Sequence, residues 1–438
     1  MNAEKRRKVV ILGAAGRDFH DFNLRFRSDP NSEVVAFTAA QIPNIEGRRY
    51  PPSLAGPLYP EGIPILPEDE LEDIFRRRGV EEAVFSYSDL SHEEVMHLAS
   101  RAIVAGADFR LLAAPSTQLR AARPVVAVCA VRTGCGKSQT ARAAVAALQA
   151  RGRRVVAVRH PMPYGDLAAQ AVQRFARRED LARQRCTIEE REEYEPYIEA
   201  GAVVFAGVDY EAILTAAEAE ADVIVWDGGN NDLPFFRPDL HIVVADALRP
   251  GHEARYHPGE ANARAADAFI INKVDGAPAE DVEGLRASLR RLNPRASITE
   301  AASPVTLDDP EAVRGKRVLV VEDGPTLTHG GMPEGAGAVA ARRAGAKELV
   351  DPRPYAVGSL AETFRRFPHL GPVLPAMGYG EAQVEDLRAT IVAANAEVVV
   401  AGTPIDLGSL LDLPRCVRAR YALEVRAGPS LEELLDRL

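Results

Sequence analysis

A lysine that opens a helix just behind two glycines is a device for holding polyphosphate, and residues 131–138 read Val131-Arg132-Thr133-Gly134-Cys135-Gly136-Lys137-Ser138. Glycine lets backbone N–H groups converge on phosphate oxygens with no Cβ in the way. The helix that follows turns its positive end to the same anion. Thr133, Gly134, Cys135, Gly136, Lys137, Ser138 and Gln139 are therefore the expected wrap for a nucleoside triphosphate. Lys137 would bridge the β- and γ-phosphates and Ser138 would ligate Mg²⁺. The preceding Val125-Val126-Ala127-Val128-Cys129-Ala130 is a buried strand by pattern, and 139–150 reads as a helix with Ala-rich packing positions. Strand, glycine turn and helix is the context the motif requires.

Downstream segments supply partners. Val223-Ile224-Val225-Trp226-Asp227-Gly228-Gly229 is a hydrophobic strand ending in an acid. Such an acid sits where a phosphate-binding domain places its second Mg²⁺ carboxylate. Gly228 and Gly229 would let the backbone approach the γ-phosphate, with Asn230, Asn231 and Asp232 at the same edge. Asn272-Lys273-Val274-Asp275 resembles the base-reading motif of GTPases, with Asp275 on the guanine N–H groups and Lys273 along the ring. Asn272 can serve adenine at the same position, so ATP and GTP both stay open. Arg159-His160-Pro161-Met162-Pro163-Tyr164-Gly165-Asp166 is a rigid, non-helical string. It places Arg159 and His160 at the carboxyl edge of a strand, where open α/β sheets bind ligands. The acidic and aromatic run 188–198 reads as a solvated helix face, with Glu189 and Glu193 kept as Mg²⁺ or general-base candidates.

The elements that must position these groups alternate between short β-branched runs and longer amphipathic stretches, the pattern of parallel α/β units. We expect an α/β protein of three segments: a Rossmann-like domain at 1–123, a central phosphate-loop domain with a mostly parallel sheet at 124–305, and an α/β domain at 306–438. Strands are expected at 8–12, 33–37, 82–85 and 109–112, then at 125–131, 154–158, 203–205, 223–226, 240–244 and 268–271. The third segment should carry strands at 317–321, 373–375, 397–401 and 421–425. The Pro- and Gly-rich stretch 41–66 reads as a long loop. In the first segment Gly13-Ala14-Ala15-Gly16-Arg17-Asp18 follows the first strand but lacks a full dinucleotide fingerprint. It could hold an anion on backbone amides and Arg17, with His20, Asp21 and Asn23 near. In the third, Glu322–Met332 ends a strand and Gly335 and Gly337 open a helix.

The 438 residues are 46% hydrophobic and 26% charged, which fits globular domains with sizeable cores. A net charge of −10 argues against wholesale binding to nucleic acid or anionic membrane. Four cysteines without a CxxC pair point to a reducing, cytoplasmic setting. No apolar run is long enough to span a bilayer.

Two resemblances follow from these motifs. Arg132, five residues before the lysine, makes the loop similar to the P-loop class of dethiobiotin synthetase and nitrogenase iron protein; members of that class often dimerise across the nucleotide face, which implies a homodimer. Over nearly the whole chain, Gly13-x-x-Gly16-Arg17-Asp18-Phe19-His20, Arg132–Ser138, the Arg159–Asp166 string, Asn272–Asp275 and Glu322–Gly331 together resemble the cyclic 2,3-diphosphoglycerate synthetase family. That resemblance implies phosphorylation of 2,3-diphosphoglycerate by ATP, then attack by the neighbouring phosphate to close a cyclic anhydride and expel phosphate. Lys137, Mg²⁺ on Ser138 and Asp227, and the cations Arg132, Arg159 and His160 would neutralise the crowded charge. Gly16, Arg17, Asp18, His20, Thr328 and His329 would touch the substrate. A regulatory or chaperone-like GTPase, and a ligase or kinase acting on another small anion, stay open beside it.

Overall fold

The computed structural model describes residues 6–14, 16–40, 47–160, 165–229, 231–328, 330–378 and 380–438. At its centre is a nine-stranded sheet in the order Gln173–Phe175, Val203–Ala206, Val155–Arg159, Val223–Asp227, Val125–Ala130, Leu240–Asp246, Ala268–Asn272, Ser297–Ala302 and Glu424–Ala427. Its inner strands pair in parallel and only the two outermost are antiparallel. Helices cover both faces, so Val125–Ala130 is buried at every position and reads as a continuous apolar run rather than an alternating one. The strand that feeds the phosphate loop lies between Val223–Asp227 and Leu240–Asp246. Connections leave it to opposite sides, and the crevice beyond its carboxyl end is where such sheets take ligands.

The N-terminal sheet runs Arg49–Tyr50, Ile63–Pro67, Ser32–Ala39, Arg7–Leu12, Glu82–Phe85, Asp108–Leu111. Alternate residues of its central strand serve two cores. Val9 and Ile11 pack with Phe19, Phe22 and Phe37, while Val10 and Leu12 pack with Leu71, Phe75 and Leu98. The third sheet runs Val305–Leu307, Cys416–Tyr421, Val398–Gly402, Arg317–Asp323, Glu348–Leu349, with Leu374–Ala376 also on Arg317–Asp323. Three α/β parts with mostly parallel sheets are thus what the sequence predicts.

Local differences have physical causes. Within the stretch expected as a loop, residues 47–66 form Arg49–Tyr50, the short helix Pro52–Ala55 and most of Ile63–Pro67; prolines mark the ends of these pieces, where no ladder N–H is needed. The expected strand at 421–425 is two strands. Cys416–Tyr421 stays in the third sheet and Glu424–Ala427 returns to the central one. Ile188–Glu199 is a helix, but not a solvated one. Glu189, Glu190, Glu192, Tyr194, Glu195 and Tyr197 are buried, because the helix is wedged between the central and third sheets. Among the described residues no helix is long and apolar enough to cross a membrane.

Candidate active site

The phosphate loop opens onto a cavity of about 570 Å³ that takes walls from all three sheets. Gly134 and Gly136 stand at φ +82° and +100°, in the left-handed region that side chains resist. Three groups draw the loop's carbonyls away from the cavity: Arg249 Nη2 donates to Thr133 O at 2.8 Å, Lys273 Nζ to Gly134 O at 2.7 Å and Asn272 Nδ2 to Cys135 O at 2.9 Å. Each removes a partial negative charge from the side where an anion would lie. Asn272 and Lys273 therefore brace the loop from behind. Asn272 is buried, while Lys273, also paired with Asp246 at 2.7 Å, lines the cavity beside Asp275. Asp275 does line the cavity, accepting the Ser303 N–H, and Gln139 is tied to the Ser303 hydroxyl at 3.2 Å.

Lys137 opens the helix Lys137–Ala150, and its ammonium sits 2.5 Å from Asp227 Oδ1. Asp227 also accepts the Tyr197 hydroxyl at 2.6 Å and pairs with Arg159. Burial alone would raise this carboxyl. The charges of Arg159 and Lys137, with hydrogen bonds from Lys137 and Tyr197, outweigh it and bring Asp227 down to about 2. Burial lowers Lys137 to about 8 against the pull of Asp227, so both are ionised at neutral pH. Asp227 thus anchors two cations behind the loop, with Lys137 and Arg159 in place of the metal the sequence expects there. Glu193, paired with Arg159 and partly exposed on the cavity wall, is the freer acid. Arg159 also reaches the Ser138 hydroxyl at 3.5 Å.

His160 is not a cation. Burial, then the charges of Arg159, Lys137 and Arg17, hold it at about 3. Its ring fills a slot between Gly16 and Gly229, where a Cβ on either glycine would collide with it, and Asp232 lies 3.8 Å from Nδ1. Gly229, on the cavity wall, makes room for His160, and Gly228 for the Trp226 indole. Neither ring nitrogen of His160 has a hydrogen-bond partner among the described residues. Arg132 is held inside its own chain: it pairs with Asp89 at 2.7 Å and stacks 3.7 Å over the Tyr256 ring. It joins the N-terminal and central parts of the chain, which are also linked by a separate two-stranded antiparallel sheet of Leu90–Ser91 and Tyr256–His257.

The helix end that the sequence offers as an anion site, and a second in the third segment, carry a carboxyl of their own. At Arg17–Arg25 the Asp18 carboxylate takes the N–H groups of Gly16 and Phe19 at 2.9 and 2.7 Å. At Ala336–Arg343 the Glu322 carboxyl takes those of Gly335, Gly337 and Ala338 at 3.1, 3.1 and 2.7 Å. An acid there completes the helix N-terminus and leaves nothing for an outside anion. Arg17 is turned to Leu233 O, Asp21 and Asp232. His20 is corrected too: it is buried, stacked 4.1 Å on Phe235 and bonded to Thr117 O, away from the cavity. Thr328 donates back to Gly324 O, and Thr326 lines the cavity instead. His329, Asn230 and Pro161–Tyr164 lie outside the described residues. Asp166 caps its own turn through Ala168 and Ala169.

On the far wall the structure brings together two of the acids the sequence kept as candidates, Glu189 and Glu193, with Glu322 and Asp323 at the end of the strand Arg317–Asp323, beside Tyr421; Glu192, behind the wall, shares a hydrogen bond with Asp323. Burial raises Glu189 and Glu322 to about 7 and Glu192 well above the carboxylate range. A carboxylate ending a strand was a legible signal; that the two segments face each other is tertiary.

No family model matches the chain. "Arginine synthetase ArcE" of Thermococcus kodakarensis is 62% identical over 437 residues, spanning 100% of this chain and 98% of its own length. Among solved structures, the "apo" form of LpxK from Aquifex aeolicus in complex with ATP aligns at TM-score 0.40 and 12% identity, over 79% of this chain and 95% of that one. Identity of that extent across two nearly coextensive chains leaves one conclusion: the protein belongs to the family of arginine synthetase ArcE.

Proposed function

We propose that the protein is an ATP-dependent synthetase that completes the guanidinium group of arginine. One observation carries the reading beyond its relative's name. Among the described residues, the helices Arg17–Arg25 and Ala336–Arg343 begin at the cavity with a carboxyl of their own on their N–H groups, the helix behind the phosphate loop has no side-chain cap, and the opposite wall is carboxylic. Such a site suits one triphosphate facing a neutral or cationic partner.

A guanidinium differs from a ureido group by one nitrogen in place of oxygen. The ureido oxygen is a poor leaving group until it carries a phosphoryl. In the first step the oxygen of citrulline, the ureido counterpart of arginine, attacks the γ-phosphorus, and the bond to the β-bridging oxygen breaks to release ADP. In the second, ammonia attacks the activated carbon, the C–O bond breaks, and inorganic phosphate departs with the proton that ammonia sheds. Lys137 and Arg159 balance charge on the transferring group. His160, neutral and lining the cavity, can pass on the proton. The Ser138 hydroxyl with the Glu193 carboxylate and phosphate oxygens is an all-oxygen donor set that suits Mg²⁺, which would supply further charge neutralisation.

Closure of 2,3-diphosphoglycerate to its cyclic anhydride shares the first step and replaces ammonia by a neighbouring phosphate. The Arg159–Asp166 string supports it; the carboxylic wall weighs against a substrate with two phosphates of its own. GTP as the nucleotide rests on Asp275 and Lys273, which line the cavity together, while Asn272 braces the loop. A homodimer and a small-molecule substrate, without nucleic acid or membrane partners, complete the proposal, and light scattering at micromolar concentration tests the first. The enzyme assay measures ADP and phosphate from ATP or GTP with citrulline plus ammonium, or with 2,3-diphosphoglycerate. Stimulation by the first pair with arginine as product is expected. Stimulation by the diphosphoglycerate alone would replace this reading with the cyclising one.

A further inference from the structure

The carboxylic wall calls for a partner. Glu189, Glu192, Glu322 and Asp323 crowd together, yet no ion pair within 4 Å joins any of them to a Lys, Arg or His among the described residues. Three of them have part of their bonding met internally. Glu322 is cradled by three backbone N–H groups, Glu192 accepts the Thr403 hydroxyl at 2.6 Å and Asp323 the Thr326 hydroxyl at 2.6 Å. Glu192 Oε2 lacks a partner outside the acid cluster as Glu189 Oε2 does, but Glu192 does not line the cavity and Glu189 does. Glu189 is 1% exposed. Its Oε1 is fixed by the Gly378 N–H at 3.1 Å, while its Oε2 has no hydrogen-bond partner among the described residues.

A buried carboxyl oxygen without a donor is costly, on the order of 1–3 kcal/mol, and sites keep such groups where a ligand completes them. A donor supplied by the ligand could be a metal or a nitrogen cation. Among the described residues no three acids or other ligating side chains converge on a point that could hold a metal ion. A nitrogen cation is broader: its N–H groups fan out to several carboxyls that need not meet at one point. Tyr421 lines the same wall, with the Arg142 guanidinium 5.8 Å from its ring centroid.

We propose that Glu189, with Asp323, forms the subsite for the nitrogen cation of the reaction, the guanidinium end of arginine. Glu189 Oε2 accepts one N–H of the group and Asp323 a second, the guanidinium lying between Ile188–Glu199 and the end of Arg317–Asp323. The inference rests on the reading above and adds the residues that choose a nitrogen-rich ligand over a phosphate. It also gives the third sheet a role, since that sheet brings Asp323 to a loop that belongs to the central one. Burial holds Glu189 near 7 in the absence of a cation, with Asp323 adding repulsion, and a bound guanidinium would favour its ionised form.

Isothermal titration of arginine, and separately of ADP, into wild type, Glu189→Gln and Asp323→Asn tests this. Arginine affinity should fall at least tenfold in each variant, with ADP affinity within twofold of wild type. ADP binding also certifies that the variants fold. Unchanged arginine affinity in both variants would overturn the subsite even if turnover of citrulline and ammonium is seen. Loss of arginine affinity in a protein that shows no such turnover would keep the subsite and overturn the proposed reaction. Wild type that binds ADP and no arginine would overturn both.

Discussion

At the residue scale the chemistry rests on a chain of charges: Lys137, Asp227, Arg159, Glu193. Lys137 and Arg159 are both drawn to a carboxylate held near 2, so they stay charged and in place. Lys137→Ala should lower phosphate release from ATP by at least about 100-fold, since it removes a charge that neutralises the transferring phosphoryl; a coupled phosphate assay reads this. Asp227→Asn should damage activity and stability together, because two cations would face each other across a neutral amide. A drop in melting temperature with the activity loss is the expected signature, and loss of activity with unchanged melting would argue that Asp227 meets the nucleotide's metal directly. Much of this was legible in the sequence. A glycine turn before Lys137 and an acid ending a hydrophobic strand are local signals. The state of His160 was not legible, because the slot between Gly16 and Gly229 exists only once two domains meet.

At the element scale, two helices carry their own anions. Glu322→Ala would leave three N–H groups of Gly335, Gly337 and Ala338 without an acceptor in a buried place. We expect a loss of about 1–3 kcal/mol from such orphaned donors, measurable by denaturant unfolding. Glu322→Gln, which keeps an acceptor oxygen, should lose less. Equal stability of wild type and Glu322→Ala would show that water replaces the carboxyl. The strands of the central sheet were legible, because continuous apolar runs of that length mark strands buried on both faces. The setting of the helix Ile188–Glu199 was not: six glutamates suggest solvent, and only tertiary packing shows four of them buried. Nor does anything local separate Glu424–Ala427 from Cys416–Tyr421, since no residue marks the point where the chain leaves one sheet for another.

At the scale of the whole molecule, the three sheets meet around one cavity, and burial at that junction sets a pH dependence. Glu189, Glu190, Glu322 and Asp232 are all raised to about 7. In the unfolded chain such carboxyls ionise at about 4; folded, they keep their protons to near 7. Their contribution to stability is fully present below the unfolded values and is lost as pH rises through about 7. Histidines 20, 160, 241, 252 and 257 are lowered to about 3 or 4, so their effect runs the other way, but it is complete once pH exceeds 6.5. Lys137, lowered to about 8, opposes with a single group. The melting temperature should therefore fall as pH rises from about 6.5 to about 7.5, where the histidine effect has faded and the carboxyls still ionise, and should stop falling above that; saturating arginine should lessen the fall. A flat or rising profile over that window would mean the wall is ionised and already compensated. None of this could be read from 188–198 and 322–323 separately, because the cost arises only when they are buried against each other.

The most direct test of the central claim is to supply ATP, citrulline and ¹⁵N-ammonium to the protein and follow the label by mass spectrometry. The account predicts arginine carrying one ¹⁵N in its guanidinium, with one ADP and one phosphate formed per arginine and no label in the Lys137→Ala variant. ATP turnover that leaves citrulline unlabelled and unchanged would contradict it.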